Sequence, residues 1–413
     1  MNIWLINHYA LPPTDAGGTR HYSHARELIR RGHDVQIIAS SFNHLTRKHM
    51  IMNPGAKWER QMFDRVPFTF ILSRGYESNS MSRVANMFDF AYHVWRGAWA
   101  AQLPRPDLIL GSSPDPFTAL AAERLSSRYA VPFVLEIRDL WPYILTEVGG
   151  HPKHHPFVLL VDRTMRYLYA KADGIVMFSQ HSGDLMSRYG ADPKKIVWIP
   201  QGVDFGMNPE PRPAPDDGQF TVTYLGSHNQ WNSLDAILDA AKILQGDGVK
   251  NVLIRFVGNG VNKPGLVERA KNEGIHNVRF DDPVPKKQVA EVLHRSNAFI
   301  INNRNDGASK SWMSFQKIYE YLAAGRPVVF GSCTNDDVVR DSGAGISVEA
   351  DNPAELARAV EFLASQSREQ LWEYGVRGRR YIEKAYSIPL LVDRFEAMAV
   401  ELTGQACSTE AVA

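Results

Sequence analysis

Cysteine is almost missing from this chain: two residues in 413, Cys333 and Cys407, far apart in sequence. A disulfide framework and a thiolate metal centre are thereby excluded as organising devices, and a reduced compartment is expected. A surplus of either charge is missing too. The 46 basic and 45 acidic residues leave a net charge of +1, so bulk electrostatics gives no argument for a nucleic-acid partner. No apolar run approaches the ~20 residues that span a bilayer. The nearest, Arg83 to Leu103, is interrupted by Arg83, Asp89, His93 and Arg96. The opening Met-Asn-Ile-Trp-Leu-Ile-Asn has neither the basic nor the long apolar region of a secretory signal. The expected location is cytoplasmic.

Several catalytic fingerprints are absent as well. There is no Gly-x-Gly-x-x-Gly and no Gly-Lys-Ser/Thr, so dinucleotide and P-loop chemistry lack their signatures. No Gly-x-Ser-x-Gly elbow appears, which leaves hydrolase chemistry unsupported. The 14 histidines show no metal spacing, and His151, His154 and His155 sit among Gly149, Gly150 and Pro152 in an evident loop. Asp281-Asp282 reads as a turn, since adjacent strand side chains diverge and no third ligand is near in sequence. No metal is expected.

What the chain does have is regular alternation of strand and helix patterns. Apolar runs predict strands over 3–7, 35–39, 108–110, 133–137, 174–178 and 196–199, with a helix over 19–31. Continuous apolar strands suit parallel sheets covered on both faces. Composition changes after Gly202-Val203-Asp204, where residues 206 to 219 are rich in Pro and Gly and read as a linker or exposed loop. Alternation then resumes, with strands over 221–225, 252–257, 278–280, 298–301 and 328–330. Helices are expected over 233–245, 264–273, 286–295, 315–324 and 354–365. The fold class is therefore α/β, with two doubly wound Rossmann-like domains in tandem. Ligands in such sheets lie beyond the carboxyl ends of the strands, which directs attention to the loops there.

The richest stretch runs from Ser309 to Phe330. Phe315, Ile318, Tyr319 and Leu322 fall on one helical face, Lys317 and Glu320 on another. Gly325 ends the helix and Pro327 prevents its return. A helix approached by Ser309, Ser311 and Ser314 offers backbone N–H groups to phosphate, with Lys317 as counter-charge and Glu320 as acceptor for ribose hydroxyls. A solvated lysine and glutamate on an ordinary amphipathic helix is the competing reading. Gly17 and Gly18 before the first helix, and the strand-to-glycine loops Gly226-Ser227-His228 and Gly258-Asn259-Gly260, are further places where backbone approaches a ligand. Phe280-Asp281-Asp282-Pro283-Val284 borders a base-binding slot through backbone groups. Arg138 and Asp139 end the strand over 133–137; they form either a site or a mutual ion pair closing the turn. Arg138 suits phosphate charge, and Asp139 a sugar hydroxyl.

Taken in order, these stretches resemble glycosyltransferase family 4. The resemblance rests on the Gly17-Gly18 loop, Arg31-Gly32-His33-Asp34-Val35 and Glu136-Ile137-Arg138-Asp139-Leu140-Trp141-Pro142. It continues through Ile199-Pro200-Gln201-Gly202-Val203-Asp204, Val257-Gly258-Asn259-Gly260 and the segment from Lys317 to Val328. The Arg-Asp-Leu-Trp-Pro block is similar to the branch building bacterial O-antigen and capsule, including N-acetyl-fucosaminyl transferases.

The resemblance implies the GT-B fold, two Rossmann-like domains facing across a cleft. Residues 1–203 would hold the acceptor and 204–387 the nucleotide-diphospho-sugar, UDP-linked, with a C-terminal helix within 388–413 crossing back. It implies a retaining, metal-independent hexosyl transfer without a covalent glycosyl-enzyme, to a glycan or lipid-linked acceptor. Arg138, Asp139 and Lys317 are the catalytic candidates. Gly17, Gly18, Gly226, Ser227, His228, Gly258, Asn259, Val284, Phe315, Gln316 and Glu320 are the donor-binding candidates. No cofactor is implied, because the nucleotide-sugar is a substrate. Glu320 matches the second Glu of the family's Glu-x7-Glu motif, while Trp312 stands in place of the first. His228 and Asn232 stand near the family's usual Arg and Lys.

Lipid-linked acceptors imply peripheral contact with the inner membrane surface. Phe88, Phe90, Tyr92, Trp95 and Trp99, with Arg83, Arg96, Arg47, Lys48 and Lys57, are the candidates for that face, against a core helix with a charged outer side. Two other functions share the architecture: a UDP-N-acetylglucosamine 2-epimerase and a non-catalytic nucleotide-sugar-binding subunit.

Overall fold

The structure, a computed structural model, describes residues 1–15, 19–50, 52–77, 81–206, 208, 210–214, 216–305 and 316–405. The chain divides into two compact units, Met1–Pro200 with Ile388–Ala413, and Gln201–Ser387.

Among the described residues, the first unit has ten strands. They are β1 (Asn2–Ile6), β2 (Asp34–Ser40), β3 (Phe42–Asn43), β4 (Lys48–His49), β5 (Trp58–Phe63), β6 (Val66–Ile71), β7 (Leu108–Ser112), β8 (Phe133–Ile137), β9 (Gly174–Met177) and β10 (Ile196–Trp198). Eight form one sheet in the order β10-β9-β8-β7-β1-β2-β6-β5, while β3 and β4 pair separately. All pairings in the large sheet are parallel except β5 with β6. That hairpin has no glycine or asparagine at its turn; Asp64 and Arg65 themselves take φ of 44° and 70°, which hides it from a reading of turn residues. The strand order reverses between β1 and β7, so the crevice at their carboxyl ends is the switch point of the sheet.

The helix Ile388–Thr403 completes this unit. Glu396 accepts from Arg31 at 2.8 Å and lies 2.7 Å from His33 Nε2. A Cβ on Gly174 would stand 2.7 Å from Met398 Sδ, so the bare backbone of β9 lets the last helix seat closely.

The second unit carries β11 (Phe220–Leu225), β12 (Val252–Val257), β13 (Val278–Asp281), β14 (Ala298–Asn302), β15 (Val328–Gly331) and β16 (Gly345–Val348). They form one parallel sheet in the order β13-β12-β11-β14-β15-β16, whose switch point lies between β11 and β14. Val222, Ile254, Ile300 and Val329 from four strands are wholly buried against Ile237, Leu238 and Val360 from the covering helices. The helix Gln316–Ala323 ends as its residues dictate, with Gly325 at φ +69°. Two described residues of the proline-rich connection are tied to the helix Arg368–Tyr386: Arg368 donates to Asp216 at 2.8 Å and Arg379 to Glu210 at 3.1 Å. Val203, where the chain enters this unit, forms a parallel bridge with Ser387, where it leaves. The backbone N–H of Val203 donates to Tyr386 O at 2.9 Å.

Helices Pro116–Tyr129, Pro156–Lys171 and Arg368–Tyr386 were outside the helices expected from periodicity. Each begins at a side-chain cap, Asp115, His155 and Ser367 respectively. The cap fixes the start where the apolar pattern is weak.

Candidate functional site

In the second unit, chemistry gathers where β11 and β12 end beside the helix Gln316–Ala323. Lys317 turns inward instead of into solvent. Its Nζ donates to Asn232 Oδ1 at 2.6 Å and Tyr224 Oη at 3.0 Å, and lies 4.9 Å from the centre of the Tyr224 ring. Asn232 is aimed by its own amide, which donates to Ser227 O and Asn229 Oδ1. Burial disfavours the ammonium and brings its pKa from 10.5 down to about 8, opposed by the charge of Glu320. Glu320 is half-buried one turn further along the helix. The reading of a solvated lysine is thus overturned by packing.

The glycines here have a different purpose from the one expected. A Cβ on Gly226 would come within 2.6 Å of Lys317 Cε, and one on Gly258 within 1.9 Å of Gly226 O. They allow the loops after β11 and β12 to close on each other and on Lys317. Their N–H groups are engaged inside the chain, Gly226 to Val257 O and Gly258 to Asp281 O, and His228 N–H donates to Asn259 O. A phosphate cradle made from these three amides is therefore ruled out; the glycines build the wall that holds the cation. Side chains at the tips, Ser227 and Asn259, are exposed, and Val284 beyond β13 is half-buried.

His228 is fully buried, and neither ring nitrogen has a hydrogen-bond partner among the described residues. Burial, with Lys263 and Lys317 adding to it, lowers its pKa to about 4. The imidazole is neutral at physiological pH and offers one donor and one acceptor.

Gln316 donates its side-chain amide to Gly202 O at 3.1 Å and so ties the helix to the chain entry. Asp281 is the last residue of β13 rather than a turn residue and is held by Arg255 and Arg279, while Asp282 just beyond it pairs with Lys263. Gly17, Gly18, Phe315, Trp312 and the serines at 309, 311 and 314 lie outside the described residues.

In the first unit, the carboxyl ends of β1, β7 and β8 carry a denser polar set. Glu136 is buried at the end of β8. It accepts from Arg20 Nε at 3.0 Å and Ser112 Oγ at 2.6 Å, with His21 Nε2 2.9 Å away. Burial pushes its pKa up, but His21 and Arg20 outweigh it and hold the carboxylate well below its usual range. Arg20 also donates to the carbonyl of Ile199 at 2.9 Å.

Three residues on, Asp139 has no such saturation. Burial raises its pKa from 3.8 to about 6, against the pull of Arg138 and Arg83. Arg138 lies 5.7 Å from the centre of the Phe178 ring. Among the described residues it makes no ion pair with Asp139, so the closed-turn alternative is not what forms. Because Asp139 binds its proton more tightly folded than unfolded, stability falls as pH rises from 3.8 to about 6. Asp139→Asn is expected to raise stability near pH 7 by about 3 kcal/mol. That gain should vanish in denaturation curves taken below pH 3.8; an equal gain at all pH values would refute the assignment.

Beyond the end of β1 lies His8, 1% exposed, with Nδ1 2.8 Å from Asp115 Oδ2. Asp115 is itself fixed by Thr118, whose N–H and Oγ1 donate at 2.8 Å each. Sequence reasoning missed His8, Asp115, Arg20 and Tyr224 as site members. Only Asp115 left a usable signal, the Asp-Pro start of a helix.

Residues 17–206 match the family Glycosyltransferase Family 4, and residues 219–366 match Glycosyl transferases group 1. A relative named probable glycosyltransferase WbjE, from Pseudomonas aeruginosa, is 21% identical over 363 residues, covering 84% of this chain and 85% of that protein. Among solved structures, sucrose-phosphate synthase from Thermosynechococcus elongatus superposes with a TM-score of 0.77 at 14% identity, covering 98% of this chain and all of that one. Anabaena HepE, solved in complex with UDP-glucose, gives a TM-score of 0.66 at 14% identity, covering 98% of this chain and 100% of its own. These neighbours share the fold, GT-B. The chain belongs to the glycosyltransferases, with a family 4 domain in its N-terminal part and a group 1 domain in its C-terminal part.

Proposed function

We propose that this glycosyltransferase moves a sugar from a nucleotide-diphospho-sugar, with UDP as nucleotide, to a glycan or lipid-linked acceptor in bacterial surface-polysaccharide assembly. Configuration at the anomeric carbon is retained, and no metal takes part. The observation that carries the donor reading is Lys317: an ammonium kept among Tyr224, Asn232 and Gly226 at the carboxyl edge of a parallel sheet, at a cost in desolvation. A bound diphosphate would supply the countercharge, and Glu320 one turn away is placed for ribose hydroxyls. In the front-face course of retention, the leaving diphosphate takes the acceptor proton while cations stabilise its growing charge. Lys317 is the cation of that step. The UDP-glucose held by HepE supports UDP as the nucleotide to test first.

Thermal shift with UDP-, GDP- and TDP-sugars tests the donor. UDP-sugars should raise the melting temperature, and a rise with none of them would refute the reading. Anomeric proton couplings of the product then decide retention.

The lipid-linked acceptor calls for a membrane-facing surface. Phe90 and Trp99 are core residues, 0% and 2% exposed, and drop out of the expected patch. Phe88, Tyr92 and Trp95 remain, 43%, 51% and 45% exposed on one face of the helix Met81–Arg96, beside exposed Arg74 and Arg96. Aromatic rings with flanking cations suit an anionic lipid surface. No helix among the described residues is long and apolar enough to cross a membrane. Co-flotation with phosphatidylglycerol vesicles, lost in Tyr92→Ser/Trp95→Ser, is the expected result; equal flotation of wild type and variant would exclude this face.

A further inference from the structure

Resting on the transferase reading, we propose that His8, held by Asp115, is the hydrogen-bond acceptor for a hydroxyl of the sugar acceptor in the first unit. The argument begins with the tautomer. Asp115 is buried and accepts three hydrogen bonds, from Thr118 N–H, Thr118 Oγ1 and His8 Nδ1. A carboxylate facing Nδ1 fixes the proton there and leaves Nε2 as a lone pair.

That lone pair has nothing to accept. Nε2 is buried, and it has no hydrogen-bond partner among the described residues. Tyr9 and Phe90 stack on the two ring faces with centroids 4.4 Å away, so only the ring edge remains for a ligand. A buried acceptor left unpaired is destabilising, and two residues arranged to maintain it need a reason.

Position supplies the reason. His8 lies two residues past Ile6, and Ser113 two residues past Gly111, where Ile6 and Gly111 are the last register partners of β1 and β7. The two residues therefore flank the switch point of the sheet, where a ligand of an open α/β sheet is received. Ser113 Oγ is also buried without a partner among the described residues. An imidazole lone pair and a hydroxyl on facing strand ends match a group that both donates and accepts, and a sugar hydroxyl does both. A phosphate would meet a lone pair here and be repelled. Asp115 is a positioning residue, acting through His8.

Long-range nitrogen–proton NMR on the full chain with labelled histidine tests this, with UDP present to occupy the donor site. The probes are octyl glycosides of glucose, galactose and N-acetylglucosamine. The free protein should show His8 protonated at Nδ1, and at least one glycoside should shift its Nε2 resonance. His8→Phe keeps the ring stacking, and should weaken that glycoside by about tenfold or more, the loss of one buried hydrogen bond, with UDP affinity unchanged. Asp115→Asn should change the tautomer. No Nε2 shift with any glycoside, or unchanged glycoside affinity in folded His8→Phe, overturns the proposal. Should His8→Phe fail to fold, His8→Gln and the wild-type spectrum decide. Loss of UDP binding by the wild type would instead overturn the donor reading.

Discussion

Lys317→Met is expected to bind UDP about a hundredfold more weakly than wild type, the loss of a charge-assisted contact, while melting no lower. The two effects have one origin. Keeping the ammonium charged in its buried position, with a pKa brought from 10.5 to about 8, costs about 3 kcal/mol at neutral pH. Methionine removes that cost and fills a similar volume. It also leaves Asn232 Oδ1 and Tyr224 Oη short of a partner, which returns about 1–2 kcal/mol. Calorimetry and denaturant melts should therefore show weaker UDP binding together with equal or slightly greater stability.

The pH dependence has a definite sign. An unfolded lysine keeps its proton up to 10.5, the folded one only to about 8. Stability therefore rises between those values as the folded chain is relieved of a buried charge. UDP affinity moves the other way, level below pH 7 and falling above about 8 as the cation is lost. A wild-type affinity flat to pH 9.5, or a destabilised Lys317→Met with full UDP binding, would remove Lys317 from the donor site.

Glu136→Gln should behave in the opposite manner, losing about 3–5 kcal/mol of stability. Glu136 and Arg20 are buried, with side chains 3% and 4% exposed. The neutral amide cannot balance the guanidinium, and its NH2 group faces a donor, Arg20 or Ser112, where a carboxylate oxygen had accepted. Because the carboxylate is held well below its usual range, its contribution is complete above the ordinary glutamate pKa and is lost as pH falls below it. The variant's deficit should thus be full at pH 7 and shrink in acid, as read from urea midpoints. A deficit under about 1 kcal/mol would mean that the network is relaxed in solution.

These two residues show what could and could not be read from the sequence. The strands over 133–137 and 252–257 coincide with β8 and β12 because each is a short, mainly apolar run, interrupted by one charged residue, Glu136 or Arg255, and bounded by turn-forming or polar residues. Lys317 and Glu320 were visible because helical spacing puts them near each other. The inward turn of Lys317 was not, since Tyr224 and Asn232 are 93 and 85 residues away in sequence. His8 and Asp115 are 107 residues apart, and Arg20 and Glu136 are 116; such pairs exist only once the sheet aligns their strand ends. Gly226 and Gly258 were legible as places of close approach, but the sequence does not say whether a ligand or another stretch of backbone approaches.

The bridge between Val203 and Ser387 has a consequence for how the molecule is made. Entry to and exit from the second unit are neighbours, so topologically that unit is an insertion within the first, which resumes with the helix Ile388–Thr403. On the ribosome, the inserted half has its whole sequence available while the host still lacks the helix that covers Gly174 and engages Arg31 and His33. Domains generally fold as units as they emerge, so the second half is placed to finish first and the N-terminal half last. Neighbouring crossing points also mean that a short linker from Pro200 to Ile388 would close the host around an excised insert, giving each half as a separate chain.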